Sequence, residues 1–281
     1  MEPLHVLDVV TRVALLAGLG ARAQALGALA EGLTGRATTR TCLDAGGPIQ
    51  VLVDAPGPRA LRLGMATGKG APDLSGWASA EDRAALAQAV APWAEREGWT
   101  VWSAEGLDWY GDARGEARVV ERAGGGGLPA LYADAGTPWA VHVSVRGGAA
   151  TVAVHWLVAR PVAIGPMLDA LQAGGVRELF SPLMGPTLAV ARWVVARPVT
   201  QDGALSVGCG RWSLVPEDER KHAAVTQAVR TLGGPDTYAG AVWSLLRGLS
   251  GPNWRVGRGL EARVRREERR LRLILVPEVR R

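Results

Sequence analysis

Two histidines stand either side of a Gly147-Gly148 pair: His142, followed by Ser144 and Arg146, lies before it, and His155 lies after it. If the glycines form a two-residue hairpin turn, Ser144 falls opposite Thr151, His142 opposite Ala153 and His155 opposite Ala140. Both imidazoles then share one face as diagonal neighbours. Imidazole titrates near neutrality, so such a pair suits proton transfer, half of a metal site or contact with an anion. His142, His155 and Ser144 are therefore the candidate catalytic residues, with the histidines as acid/base groups. These two strands carry no carboxylate, so the third member of a triad or metal site must come from elsewhere. The plainer alternative is a hydrated or neighbour-packed sheet face.

A second candidate is electrostatic. Residues 251–281 hold ten arginines against four glutamates, a net of +6, while the remainder of a chain of formal charge +5 sums to −1. Arg255, Arg258, Arg263, Arg265, Arg266, Arg269, Arg270 and Arg272, with Trp254 among them, have the chemistry to follow a phosphate backbone and stack a base. The rival reading pairs several of them with Glu261, Glu267 and Glu268 in surface ion pairs. The basic balance as a whole says less than this concentration at one end, because only Lys69 and Lys221 among 32 basic residues are lysines.

Other motifs carry weaker signals. The segment 108–112 places Asp108 and Asp112 around Trp109 and Tyr110, which suits a sugar or cation site and equally an ordinary turn. The glycines and Lys69 of residues 64–70 fail as a phosphate loop, having three residues between the glycines and Gly70 after the lysine. Gly18 and Gly20 sit in a helical pattern without the βαβ context of a dinucleotide site. Cys42 and Cys209 are far apart and lack metal-ligand neighbours, so neither a disulfide nor a zinc site is indicated, and no cofactor motif is found.

The elements that must position these residues follow from periodicity. Apolar residues every three positions predict a helix over 4–33. Residues 48–53 and 59–65 read as a first hairpin around the prolines of 54–58. Ser79 and Asp82 open a helix that buries Leu86, Val90 and Trp93 and stops at Gly98. Residues 99–103 and 116–121 are expected to flank a turn-rich stretch at 106–115. Strict alternation over 139–146 and 149–158 makes a hairpin about Gly147-Gly148, and a short helix over 164–173 should end at Gly174-Gly175. A further hairpin runs over 188–214 through Asp202-Gly203. Pro216 and the acids 217–219 open a helix to Leu232, and a second follows over 237–249. The segment 254–276 fits a basic hairpin, since Leu271, Leu273 and Leu275 alternate with Arg270 and Arg272.

The predicted class is α+β: mainly antiparallel hairpins alternating with helices, as a curved sheet or partly closed barrel with helices outside. Glycines 124–127 suggest a boundary between an N-terminal half, 1–123, and a C-terminal half, 128–281, which may equally read as one continuous domain. Residues 13–23 imitate a secretory leader, but Glu2 and Asp8 make the start acidic, so a cytoplasmic protein is expected. No apolar run reaches the length of about 20 residues that a membrane helix needs.

The order helix, hairpin, helix, hairpin resembles the αββα barrel of aromatic prenyltransferases, in which residues 46–65 and 138–158 would be two of the barrel hairpins. With three tyrosines and two lysines in the chain, the tyrosines and lysines that bind diphosphate in that family find no placement here. Two functions stand open. The leading one is a non-catalytic protein that engages nucleic acid or another polyanion through the Arg-rich segment, within a protein assembly. The alternative is a transferase-like enzyme acting on a small molecule inside the sheet concavity.

Overall fold

The structure is a computed structural model that describes residues 51–55, 62–69, 78–103, 106–114, 116, 118–123, 136–158, 164–170, 174–184, 193–198, 205–209, 219–237, 240, 259–265 and 268–275. The predicted helices over 4–33 and 237–249, the glycines 124–127 and the Asp202-Gly203 turn lie wholly or almost wholly outside them.

Ten strands form one sheet: β1 (Val51–Ala55), β2 (Arg62–Lys69), β3 (Glu97–Ser103), β4 (Gly106–Asp112), β5 (Gly136–Arg146), β6 (Ala149–Val158), β7 (Trp193–Pro198), β8 (Leu205–Cys209), β9 (Gly259–Arg265) and β10 (Glu268–Leu275). Among the described residues five α-helices with defined bounds accompany them: α1 (Ala80–Val90), α2 (Arg118–Arg122), α3 (Ile164–Ala170), α4 (Gly174–Met184) and α5 (Glu219–Thr231). The strand order is β1-β10-β9-β8-β7-β6-β5-β4-β3-β2, and every described pairing is antiparallel. Strands from both sequence halves therefore enter the same sheet. The edge strands β1 and β2 approach each other, so the sheet curves until its edges meet, with no ladder described between them.

Alternation gives this sheet two faces. Leu107, Trp109, Val141, Val143, Val145 and Val154 are all at most 1% exposed and line the face that α1 covers with Leu86, Val90 and Trp93. The start of α1 follows from its cap: Ser79 Oγ accepts from Asp82 N at 3.0 Å, satisfying one of the orphan donors of the first turn. Asp82 also accepts from Gly148 N at 2.8 Å, tying the β5–β6 turn to the helix. Gly147 and Gly148 have φ of 54° and 74°, as a type I′ turn requires.

Several expectations are corrected. Residues 106–112 are strand β4, paired with β3 and β5, rather than a turn, and 118–122 is helical. Strands β1 and β2 are not hairpin partners among the described residues, because each finds its ladder elsewhere, with β10 and with β3. Gly98 lies inside β3 and does not end α1, whose last turn tightens into a 3₁₀ turn at Ala91–Trp93. It stands opposite Gly111, and a Cβ at either position would fall 2.7 or 2.2 Å from the Trp109 ring. These glycines make room for an indole, a packing role invisible to turn statistics. Gly174-Gly175 begins α4 instead of closing a helix.

Candidate active site

The register about Gly147-Gly148 is as the alternation predicts: Ser144 pairs with Thr151, His142 with Ala153 and Ala140 with His155. His155 shares the face of His142 by unbroken alternation from the turn, and the ladder shifts only beyond it, between Pro138 and Ala140. This inner face is opposite the one that α1 covers.

The missing carboxylate comes from the neighbouring strand. In β4, Asp108 stands directly opposite Ser144, and Tyr110 directly opposite His142. His142 and Arg146, four residues apart on β5, are thus the two diagonal neighbours of Asp108, one on each side. His142 Nε2 lies 3.0 Å from Asp108 Oδ1. Arg146 donates through one nitrogen to both Asp108 oxygens, at 3.2 and 3.0 Å, and through another to the carbonyls of Leu107 and Val145, at 2.9 and 2.7 Å. Asp108 is fully buried and His142 is 7% exposed. A carboxylate this deep requires charge and hydrogen-bond partners, and Arg146 with His142 supplies them.

Rings complete the cluster. Tyr110 stacks on His142 at 4.3 Å with an interplanar angle of 7°. His155, 4% exposed, presents its edge to both, with ring centroids 5.2 Å from His142 and 5.5 Å from Tyr110. Ser144 is half-buried beside Asp108, and its carbonyl accepts from Thr151 Oγ1 at a long 3.4 Å. The arrangement sets an imidazole within hydrogen-bond reach of a carboxylate, the geometry that orients a histidine for proton transfer. Among the described residues no group of three His, Cys, Asp or Glu side chains is arranged to hold a metal.

Sequence reasoning brought together His142, His155 and Ser144 but set Asp108 and Tyr110 apart, as a sugar or cation site or a turn, rather than beside the histidines. Their signal was present as the alternation of Leu107, Trp109 and Gly111 with Asp108, Tyr110 and Asp112, hidden by residue types that favour turns.

The Arg-rich segment is placed differently from its reading as a polyanion-binding tail. Arg263 and Arg265 belong to β9, and Arg269, Arg270 and Arg272 to β10; Trp254, Arg255, Arg258 and Arg266 lie outside the described residues. Register divides the strand arginines between the two faces. Arg269, opposite Val264, is on the helix side and donates to Glu178 of α4 at 2.8 Å. Arg263 stands opposite Arg270, Arg265 opposite Glu268 and Arg272 opposite Glu261, all on the inner face. This hairpin is built into the sheet beside edge strand β1, and four of its five described arginines share the inner face with Glu261 and Glu268, so it is not a separate basic tail.

The fold is that of known enzymes. The chain superimposes on a 5-dimethylallyl tryptophan synthase from Streptomyces coelicolor in complex with DMASPP and Trp, with a TM-score of 0.65, 13% identity and coverage of 100% of this chain and 98% of that one. It matches the prenyltransferase PriB in a ternary complex with L-tryptophan and dimethylallyl thiolodiphosphate at a TM-score of 0.61, 13% identity and 99% and 98% coverage. A 6-dimethylallyl tryptophan synthase gives 0.59, 14% identity and 98% and 97% coverage. No family model and no curated protein matches the chain. The reading of Trp254 and the eight arginines as a nucleic-acid or assembly interface is therefore corrected: full-length structural neighbours are small-molecule prenyltransferases, and the described arginines sit in the wall of the sheet. Among the described residues no helix is long and apolar enough to cross a membrane. By fold, the chain is an αββα-type antiparallel barrel protein, like the prenyltransferases it superimposes on.

Proposed function

We propose that this protein is a prenyltransferase acting on small molecules, which moves an allylic group of the dimethylallyl class from its diphosphate to an aromatic ring. The observation that carries the reading is the buried Asp108–His142 pair with His155 beside it on the inner face. The full-length likeness to tryptophan dimethylallyltransferases supports the substrate class.

The chemistry needs two things at two places. One is positive charge where diphosphate departs. Arg263 and Arg270 occupy directly opposed positions on the inner face, with Glu261 and Glu268 at the diagonal positions, so this hairpin gathers cations on the side that a departing diphosphate would meet. In the ten-strand order β9 and β10 are each five positions from β4 and β5 respectively, so with the edges brought together the arginine pair faces the histidine cluster across the interior. Val194, Ala196 and Pro198 on β7 and Ser206 and Gly208 on β8 hold inner-face positions between them.

The other need is a proton acceptor. As the allylic C–O bond breaks, its electron pair leaves with diphosphate; an aromatic carbon then forms the new C–C bond and releases its proton. His142 takes that proton, His155 serves as the second acid/base group, and the Ser144 hydroxyl hydrogen-bonds the acceptor. We propose further that 1–123 and 128–281 form one continuous domain, supported by their shared sheet, and that the protein is cytoplasmic, in keeping with two unpaired-in-pattern cysteines.

The test is turnover. Incubation with dimethylallyl diphosphate and L-tryptophan, then with other indoles and phenols, should release inorganic diphosphate and yield a product heavier by one dimethylallyl group. Failure with every aromatic acceptor, alongside unchanged diphosphate, would refute the reading.

A further inference from the structure

We propose that Asp108 and Arg146 are positioning residues that hold His142 as its Nε2–H tautomer, so that Nδ1 is the atom that receives the substrate proton. The proton's destination rests on the function proposed above; the tautomer does not.

Hydrogen-bond complementarity makes the assignment. Both oxygens of Asp108 accept from Arg146, which has only donors. Asp108 is therefore the ionised partner of a buried ion pair, and an ionised carboxylate is acceptor-only. The 3.0 Å contact with His142 Nε2 then requires the hydrogen to be on the imidazole. A neutral imidazole with Nε2–H carries its lone pair on Nδ1. When Nδ1 takes a proton, the resulting imidazolium lies against a negative charge already in place, without solvent reorganisation.

Three features keep the geometry fixed. Arg146 is itself anchored to the carbonyls of Leu107 and Val145, so the guanidinium cannot swing away without breaking backbone contacts. Gly106, at φ 147°, admits this anchor: a Cβ there would fall 2.1 Å from Val145 O and 2.7 Å from Arg146 Cδ. Tyr110 lies flat on the imidazole and opposes rotation of the ring. The groups facing His142 are thus Asp108 and Tyr110 from β4, Ser144 and Arg146 from β5, and Ala153 and His155 from β6. Among these described residues Asp108 is the carboxylate within hydrogen-bond distance of His142.

The tautomer is read directly by two-bond ¹H–¹⁵N correlation spectra of protein labelled in histidine, with His142→Gln assigning the signal. The expected spectrum is neutral His142 protonated at Nε2. A His142 protonated at Nδ1, or one that is an imidazolium throughout the neutral range, would overturn the inference. Asp108→Asn should redistribute the proton toward Nδ1 and lower kcat by roughly 10³–10⁴-fold with KM little changed, as expected when a base is held in the wrong tautomer. Arg146→Lys should retain more of the Nε2–H signal than Arg146→Met. Should Asp108→Asn not fold, Asp108→Glu and the wild-type spectrum decide the same question. Unchanged tautomer and pH–rate profile in a folded Asp108→Asn would also overturn it. Absence of any turnover by wild type would remove the proposed reaction while leaving the spectral result standing.

Discussion

Strands β4 to β6 and the β9–β10 hairpin are built from the same materials and end in different states. Both are antiparallel ladders, and both carry cations and carboxylates at alternate positions. In the first, Asp108, His142 and Arg146 fall on one face at diagonal positions, so Asp108 meets both partners within 3.2 Å, with the carboxylate and imidazole buried and Arg146 half-buried. In the second, alternation deals the arginines to both faces. Arg269 leaves for the helix side and binds Glu178, while Arg263 and Arg270 are opposed on the inner face. The difference shows that a strand's charge count says little until its cross-strand partners are known: the β4–β5 cluster suits positioning, and the cations gathered on the inner face of β9 and β10 suit meeting an anion.

The comparison can be broken most severely at Asp108. Asp108→Ala leaves buried His142 and half-buried Arg146 without their shared partner and should cost about 3–5 kcal/mol in urea unfolding. A loss below 1 kcal/mol would mean that the cluster is not interlocked. Behind the same strand, Gly111→Ala drives a methyl to 2.2 Å from the Trp109 ring and should destabilise by roughly 1–3 kcal/mol, partly relieved when combined with Trp109→Phe.

The other hairpin should respond in binding. Arg263→Ala with Arg270→Ala removes two inner-face cations, so diphosphate affinity, measured by calorimetry, should fall at least tenfold. Arg269→Ala, which breaks an exposed pair with Glu178, should change stability by less than about 1 kcal/mol and leave diphosphate binding unaltered.

The smallest expected effect concerns acid. Arg96 hydrogen-bonds Glu116, opposing a small burial cost, and holds its carboxyl below the usual range. A depressed folded-state pKa contributes stability that is present above the unfolded value of about 4.3 and is lost as pH falls through the folded one. Glu116→Gln should therefore narrow the stability difference between pH 7 and acid by no more than about 1 kcal/mol, because Glu116 is 55% exposed.

The fold was legible wherever alternation was strict and turn chemistry unambiguous. The Gly147-Gly148 hairpin, its three register pairs, the Ser79 cap and the basic terminal hairpin all follow from residues within one strand or turn. What the sequence concealed depends on distant partners. Gly98 and Gly111 look like breakers but are spaces for Trp109. Residues 106–112 look like a turn because Gly and Asp favour turns, yet β3 and β5 hold them extended. The same misreading removed Asp108 from the site, and with it the carboxylate that the histidine pair lacked. The edge strands β1 and β2 are separated by a loop short enough for a hairpin, and only the curvature of the whole sheet assigns them to opposite ends of its order.

The central claim is that His142 is the base of a transfer reaction in the barrel interior. It is tested most directly by single-turnover analysis of His142→Gln with dimethylallyl diphosphate and the best aromatic acceptor. The account predicts diphosphate binding like that of wild type and a fall of roughly 10²–10⁴-fold in the rate of prenylated product. Product formation at the wild-type rate in the folded variant would contradict it.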